Sequence, residues 1–374
     1  MLHGVDLSLK IGPVPVAAPR EVVEALVQAE VVSGAGGTPS GFALTFELPA
    51  RSPLRTLFLV TGGSALPLMR VVLVVTINGR AESIVDGVTT HVETLPGEGG
   101  VSRLVVKGQD LSALMAMIEI PGLPFPAMPP SVRVLVILAK YAALGVIPMV
   151  IPSLNDIPPL PINRIPTQRG SDYAYVTHLA DQAGYVFYFE PGPAPGTSKA
   201  YWGPEIRVGA PQPALTTNMD AQTNVEKITF SFDKKKKFMP LLSFQEPFSK
   251  ATITLPIPDV TPLNPPLGLV PPLPPQIQQV SETGHLSAPE ALAAGMAFVG
   301  KHSDSVFGKG TLDVAKYGRL LKSRQLVGVR GASLPFDGLY YVTEVTHKIE
   351  RGSYKQSFEL ARNALISTVP TVPT

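Results

Sequence analysis

Apolar positions along this chain recur with two periods, and one twenty-residue stretch shows both. Over residues 171–190, SDYAYVTHLADQAGYVFYFE, Val176, Leu179, Ala180 and Ala183 return at helical spacing while Asp181 and Gln182 are left for water. Ser171 can cap this helix, Asp172 suits its first turn, and Gly184 supplies a left-handed stop. The period then changes. Residues 185–189, YVFYF, predict an aromatic, β-branched strand, apolar on both faces and closed by Pro191 and Gly192. Helix and strand are therefore expected to lie deep, between other layers. The same order occurs upstream, where Ser131 opens VRVLVILAKYAALG, Gly145 stops it and residues 146–151 follow as an extended piece, so a helix, glycine, strand unit is used twice.

Before this pair of units the pattern is strands. Residues 21–32 and 41–48 flank the loop SGAGGTPS, which predicts a long hairpin. The run 71–77 ends at Asn78-Gly79, a strong two-residue hairpin turn, from which 81–85 returns. Strands at 89–94 and 102–107 surround PGEGG, and residues 109–114 begin a short helical exit. Five or more antiparallel strands with one covering helix make a small barrel or sandwich. The proline-rich stretch 121–130 reads as a linker. After the paired units, Trp202 closes an aromatic edge and is expected to be core rather than a ligand platform. Strands resume at 226–232 and 241–244; residues 255–275 are too proline-dense for helix or central strand and predict an extended arm lying along a neighbouring surface. A helix over 287–302 and four strands at 310–315, 323–329, 338–350 and 354–362 complete the chain.

Composition sharpens this picture. With 374 residues, 45% hydrophobic, the chain can bury two or more cores. Forty prolines and 33 glycines without a collagen period favour short strands over long helices. Thirty-one basic residues balance 29 acidic ones, which gives no general drive toward nucleic acid or an acidic membrane. Without cysteine there are no disulfides and no thiolate chemistry, so stability must come from burial and assembly. The start MLHGVDLSLKIG has no signal-peptide pattern, and cytoplasmic synthesis is the expectation. The apolar run 134–151 approaches the length of a membrane span, but Lys140, Gly145 and Pro148 interrupt it.

No constellation for catalysis emerges. The six histidines, His3, His91, His178, His285, His302 and His347, include no HExxH and no ligand pair on one helix, so no metal and no cofactor is expected. His178 and His347 read as structural histidines. Residues 307–311, FGKGT, brush a phosphate loop but lack its leading glycine and its final hydroxyl, and read as a turn. No GxSxG occurs. The one concentrated charge is Lys234, Lys235, Lys236 and Lys237 after Asp233. Such a run is either a solvated loop face or a basic rim meeting an acidic partner or lining a conduit.

The residues Tyr175, Val176, Leu179, Ala180, Gly184, Phe187 and Tyr188, followed by Gly338, Tyr340, Val342, Val345, His347, Tyr354, Leu360 and Arg362, resemble in order and spacing the late control protein D and VgrG-type hub proteins at the centre of contractile tail baseplates. The resemblance covers the middle and C-terminal third; the first block matches only in its strand arrangement. The long proline arm departs from the family pattern, as does the ending TVPTVPT, which carries no β-helical needle.

The resemblance implies a β-rich α+β fold, with two tube-like antiparallel β-barrel domains and a helix-strand insert domain between them. The expected boundaries are 1–120 for the first barrel, 121–205 for the insert, and 206–374 for the second barrel with its proline-rich arm at 255–280. It implies a non-enzymatic homotrimer that adapts a hexameric tail tube, or a tube-initiator protein, to a separate spike, among baseplate wedge proteins, with no nucleic-acid specificity and no membrane span. Phage, cell-bound and released particles all remain open. A β-rich surface or secreted carbohydrate-binding module with a proline tether is the alternative class, which the absent signal peptide and dispersed aromatics disfavour.

Overall fold

A computed structural model describes residues 5–49, 52, 69–96, 101–117, 119, 122–153, 156–162, 165–245, 249, 251–257, 263–272, 276–279, 295, 299, 303–369 and 372. The N-terminal block comprises β1 (Val5–Gly12), β2 (Val16–Ala17), β3 (Leu26–Gly34), β4 (Gly41–Pro49), β5 (Arg70–Ile77), β6 (Arg80–Pro96) and β7 (Val101–Asp110). The predicted β3–β4 hairpin forms, with Val31 opposite Phe42. Its first strand begins later than the apolar pattern suggests. Pro19 starts a turn of helix, α1 (Arg20–Ala25), which buries Val22 before the chain extends. Asn78 and Gly79 both take positive φ, 50° and 79°, the geometry a twisted two-residue hairpin needs. The two strands expected after that turn are one. Seventeen-residue β6 continues because β5 pairs its first half and β7 its second, with a bulge near Thr89.

The chain then enters a small helical layer over a three-stranded sheet. Helices α2 (Ser112–Met117), α3 (Pro130–Ala139) and α4 (Asp172–Ala183) pack on β8 (Val146–Val150), β9 (Val186–Pro191) and β10 (Ser198–Gly203), in the order β8-β10-β9. The Ser171 hydroxyl accepts the Ala174 amide at the start of α4, and Gly184 ends it at φ 71°. The upstream helix stops earlier than its apolar run, at Ala139, and Gly145 closes a separate 3₁₀ turn over Ala142–Leu144. Trp202, fully buried, donates its indole N–H to the Val176 carbonyl. Phe187 and Phe189 face the helices and are buried. Val186 and Tyr188 on the other face are only half-buried, so the expected two-sided burial holds on one side. The stretch expected as a plain linker supplies Phe125 to this core, stacked on Tyr175 at 5.7 Å.

The C-terminal block contains β11 (Gln212–Thr216), β12 (Val225–Phe232), β13 (Phe238–Gln245), β14 (Thr252–Pro256), β15 (Gly268–Val270), β16 (Gln276–Gln279), β17 (Val306–Asp313), α5 (Val314–Tyr317), β18 (Leu326–Arg330), β19 (Gly338–Glu350), β20 (Ser353–Arg362) and β21 (Leu365–Ser367). The FGKGT segment is a strand interior and not a turn, because β17 is paired on both sides by β12 and β20. The proline-dense region is only partly an open arm. It holds β14 and β15, and β15 pairs with β21 of the same chain, while the Leu267 amide donates to the Asn363 side chain. The predicted helix over 287–302 falls largely outside the described residues.

These blocks are not two separate sheets. β3 pairs with β4 on one side and with β19 on the other, Val345 opposite Ser33 and Ile349 opposite Ala29, producing one thirteen-stranded sheet among the described residues. One apolar core follows it, running from Leu44, Phe46 and Leu73 to Tyr340, Val342 and Phe358. No sheet closes on itself among the described strands. The two expected barrels therefore appear here as two open walls of a shared sheet. The protein is β-rich, with large antiparallel sheets and few helices.

Candidate assembly surface

The sequence-signature residues separate into two groups. Tyr175, Leu179, Gly184 and Tyr188 belong to the insert. Tyr175 is buried and accepts a hydrogen bond from Arg133 Nη1 at 3.0 Å; Leu179 is buried in the same core. Tyr340, His347 and Arg362 belong to the final hairpin. Arg362, wholly buried, stacks its guanidinium 4.4 Å from the Tyr340 ring centre and donates to the carbonyls of Asp337 and Pro335. The Tyr340 hydroxyl donates to the Phe336 carbonyl at 2.8 Å. His347 shares a 2.7 Å hydrogen bond with Tyr354, and burial lowers its pKa to about 4, so the ring is neutral. His178 is exposed on α4 and far from any of these pairs in role and burial.

Tyr188 is the member that links the groups. Its ring stacks on Tyr201 at 5.0 Å, while Arg324 from the C-terminal block lies 3.9 Å from its centre. A cavity of about 130 Å³ opens here between insert and C-terminal block, bounded by Tyr188, Tyr201, Glu205, Arg324 and Tyr341. Nearby Arg207, almost fully buried, grips Asp304 through one guanidinium nitrogen at 2.7 and 2.8 Å and lies over Tyr341. Burial opposes its charge, but Asp304 and Glu205 outweigh that and hold its pKa above the ordinary value.

Buried ion pairs that the sequence does not reveal fix the insert in place. Arg70 binds both oxygens of Asp86 at 2.6 and 2.7 Å and donates to the carbonyls of Leu144 and Gly196, tying β5 to the 3₁₀ turn before β8 and to the connection between β9 and β10. Asp172, read from sequence as a helix-dipole partner, is fully buried and accepts from Lys140, Tyr141 and Gln168, each at 2.7 Å. The only sequence signal for Arg70 is a charge abutting the run VVLVVTI.

The four lysines do not form a uniform patch. Lys234, Lys235 and Lys236 are exposed on a single 3₁₀ turn capped by Asp233, with Lys236 4.2 Å from the Phe307 ring centre. Lys237, the residue immediately before β13, is buried. The turn lies at the end of β12, and β12 is a terminal strand of the large sheet, paired only by β17 among the described residues. At the opposite end β1 is covered by β5 on one side and by only two residues of β2 on the other. Both ends of the sheet thus offer unpaired main-chain groups. Among the described residues no group of three or more His, Asp or Glu is placed to hold a metal ion, and no helix is long and apolar enough to cross a membrane.

This architecture is shared with tail proteins. The tail protein from Neisseria meningitidis MC58 superposes with a TM-score of 0.63 at 15% identity, over 96% of this chain and 97% of that one. The 43 kDa tail protein of prophage MuSo2 from Shewanella oneidensis gives 0.57 at 14% identity, over 97% and 99%. The E. coli c3393 protein, a component of the type VI secretion system with structural similarity to the T4 bacteriophage tail proteins gp27 and gp5, gives 0.56 at 13% identity, over 96% and 79%. The chain shares the fold of these tail and secretion-system proteins. No protein-family model and no curated protein matches the sequence.

Proposed function

We propose that this chain is a structural baseplate hub: a homotrimer that adapts a hexameric tail tube to a separate spike in a phage tail or tail-like injection particle. The observation that carries the reading is the β3–β19 junction, which places two strand blocks side by side in one chain while leaving β12 and β1 open at the outer ends. Three such chains present six walls, a number that matches a six-fold tube, and ring closure would cover the open edges. In this reading residues 1–120 and 206–374 form the two tube-like barrels, completed by neighbours, and 121–205 form the insert. The fold shared with tail proteins supports it. The role is structural and non-enzymatic, assembly is cytoplasmic, and wedge proteins contact the outer surface.

Light scattering on the purified chain should give three copies, and electron microscopy a ring with pseudo-six-fold walls. A stable monomer, or a ring with an even number of chains, would overturn the arrangement. Lys234, Lys235 and Lys236 form the basic rim of this ring in the proposal. Changing all three to Glu should weaken tube docking more at low salt than high, because exposed charges are screened beyond about 10 Å at 0.1 M. Equal docking at both salt concentrations would remove them from that interface.

A further inference from the structure

The sequence contains one Asn-Gly pair, Asn78-Gly79, and the fold places it at the exposed tip of the β5–β6 hairpin. Glycine after asparagine is the reactive order, because a residue without a side chain lets its main-chain nitrogen close on the asparagine carboxamide carbon. At this tip the nitrogen is unengaged. The β5–β6 ladder ends on the pair Ile77 and Arg80, so the Gly79 N–H lies beyond it and makes no hydrogen bond among the described residues. Nothing packs over Gly79 either: a side chain there would meet no atom within 4 Å.

The Asn78 carboxamide has a structural duty of its own. Its Nδ2 donates to the Gly318 carbonyl at 3.1 Å, 240 positions away. Gly318 ends α5 in the left-handed conformation, φ 78°, with its amide returned to the Val314 carbonyl at 2.8 Å. The neighbouring Tyr317 hydroxyl donates to the Pro213 carbonyl at 2.6 Å, so this cap is fixed within the C-terminal block. A second contact lies close by in sequence, where Lys322 pairs with Glu82 of β6 at 2.7 Å. The hairpin of the N-terminal block is thus clasped to the C-terminal block at two points, in addition to the β3–β19 ladder.

We propose that Asn78 is a self-modification site whose reaction releases the Gly318 half of this clasp. The Gly79 nitrogen bonds to the Asn78 side-chain carbonyl carbon, the bond from that carbon to Nδ2 breaks, and the proton lost by the Gly79 nitrogen leaves with it as ammonia. Water then opens the five-membered imide. Attack at the side-chain carbonyl gives aspartate, and attack at the main-chain carbonyl gives isoaspartate, which runs the backbone through one extra carbon. No oxidant, metal or second protein takes part. Either product replaces the Nδ2 donor by a carboxylate, which has no hydrogen to give the Gly318 carbonyl and repels its oxygen. The shared ladder of the two blocks is untouched, so the tip loosens while the fold stands. The inference is independent of the hub reading, because it needs only the folded chain and water.

The test is incubation of the full chain at neutral and at mildly alkaline pH, beside a synthetic peptide of residues 74–83 that reacts without the fold. Peptide mapping should find the mass gain of OH for NH2 at Asn78, with isoaspartate reported by isoaspartyl methyltransferase labelling. The gain should come faster at alkaline pH, because the attacking nitrogen must give up its proton, and Asn78→Gln should stay unmodified over the same period. As product accumulates, hydrogen exchange should rise at residues 315–318, and Asn78→Asp should show that rise without incubation. Should Asn78→Asp misfold, the aged parent chain, separated from unreacted chain by its extra negative charge, carries the same exchange measurement. A folded chain that keeps Asn78 intact after the peptide has fully converted would overturn the site. Converted chain whose exchange around Gly318 matches fresh protein would overturn the release. A copy number other than three would refute the hub stoichiometry and leave both of these results standing.

Discussion

At the scale of single residues, burial decides what the side chains do. Phe187 is almost wholly enclosed between α4 and the small sheet, making an edge contact with Phe189. Phe187→Ala should cost on the order of 3–5 kcal/mol in urea unfolding, and a cost near zero would mean its pocket collapses or is open to water. His347 gives a pH-dependent counterpart. Its folded pKa of about 4 lies below the unfolded value of 6.5, and burial is the cause. Between those values the unfolded chain takes up a proton that the folded chain refuses. The contribution is therefore complete above pH 6.5 and is lost as pH falls toward 4, by about 3 kcal/mol in all. His347→Gln should flatten that part of the stability profile, and an unchanged slope would assign the loss to other groups. Sequence showed the apolar identity of Phe187, but not the burial of His347 against Tyr354. It did not show that Lys237 is buried while its three neighbours stay in water, since four identical side chains carry no signal of which one is enclosed.

At the scale of elements, local chemistry was legible and long-range attachment was not. The Ser171 cap, the Gly184 stop, the Asn78-Gly79 turn and the final hairpin all follow from residues within a few positions of one another. By contrast, Arg70 meets Leu144 and Gly196 across 74 and 126 positions, and no local period announces such a contact. Arg70→Met should cost on the order of 3–5 kcal/mol, because it leaves Asp86 buried without its partner. Hydrogen exchange should rise first in β8 and β10, the strands next to the two carbonyls that lose their donor. Uniform acceleration across the large sheet would show that Arg70 supports the sheet rather than the insert.

For the whole molecule, the strand-rich character was readable, but the joining of the first and last strand blocks into one sheet was not. Pairing of β3 with β19 depends on edges whose apolar alternation would suit many partners. With a common core on both sides of that seam, calorimetry should record one cooperative transition for the two strand blocks. Two well-separated transitions would mean that the seam is weak. The seam also sets a clock on biosynthesis. Gly34 finds its partner at Glu344, so β3 leaves the ribosome with one edge bare while roughly 300 further residues are made, on the order of 15–60 s at about 5–20 residues per second. During that interval, and permanently in any product truncated before residue 338, a hydrophobic strand edge is open to other nascent chains. Efficient production of this protein should therefore depend on chaperone shielding of its N-terminal third until the last hairpin arrives.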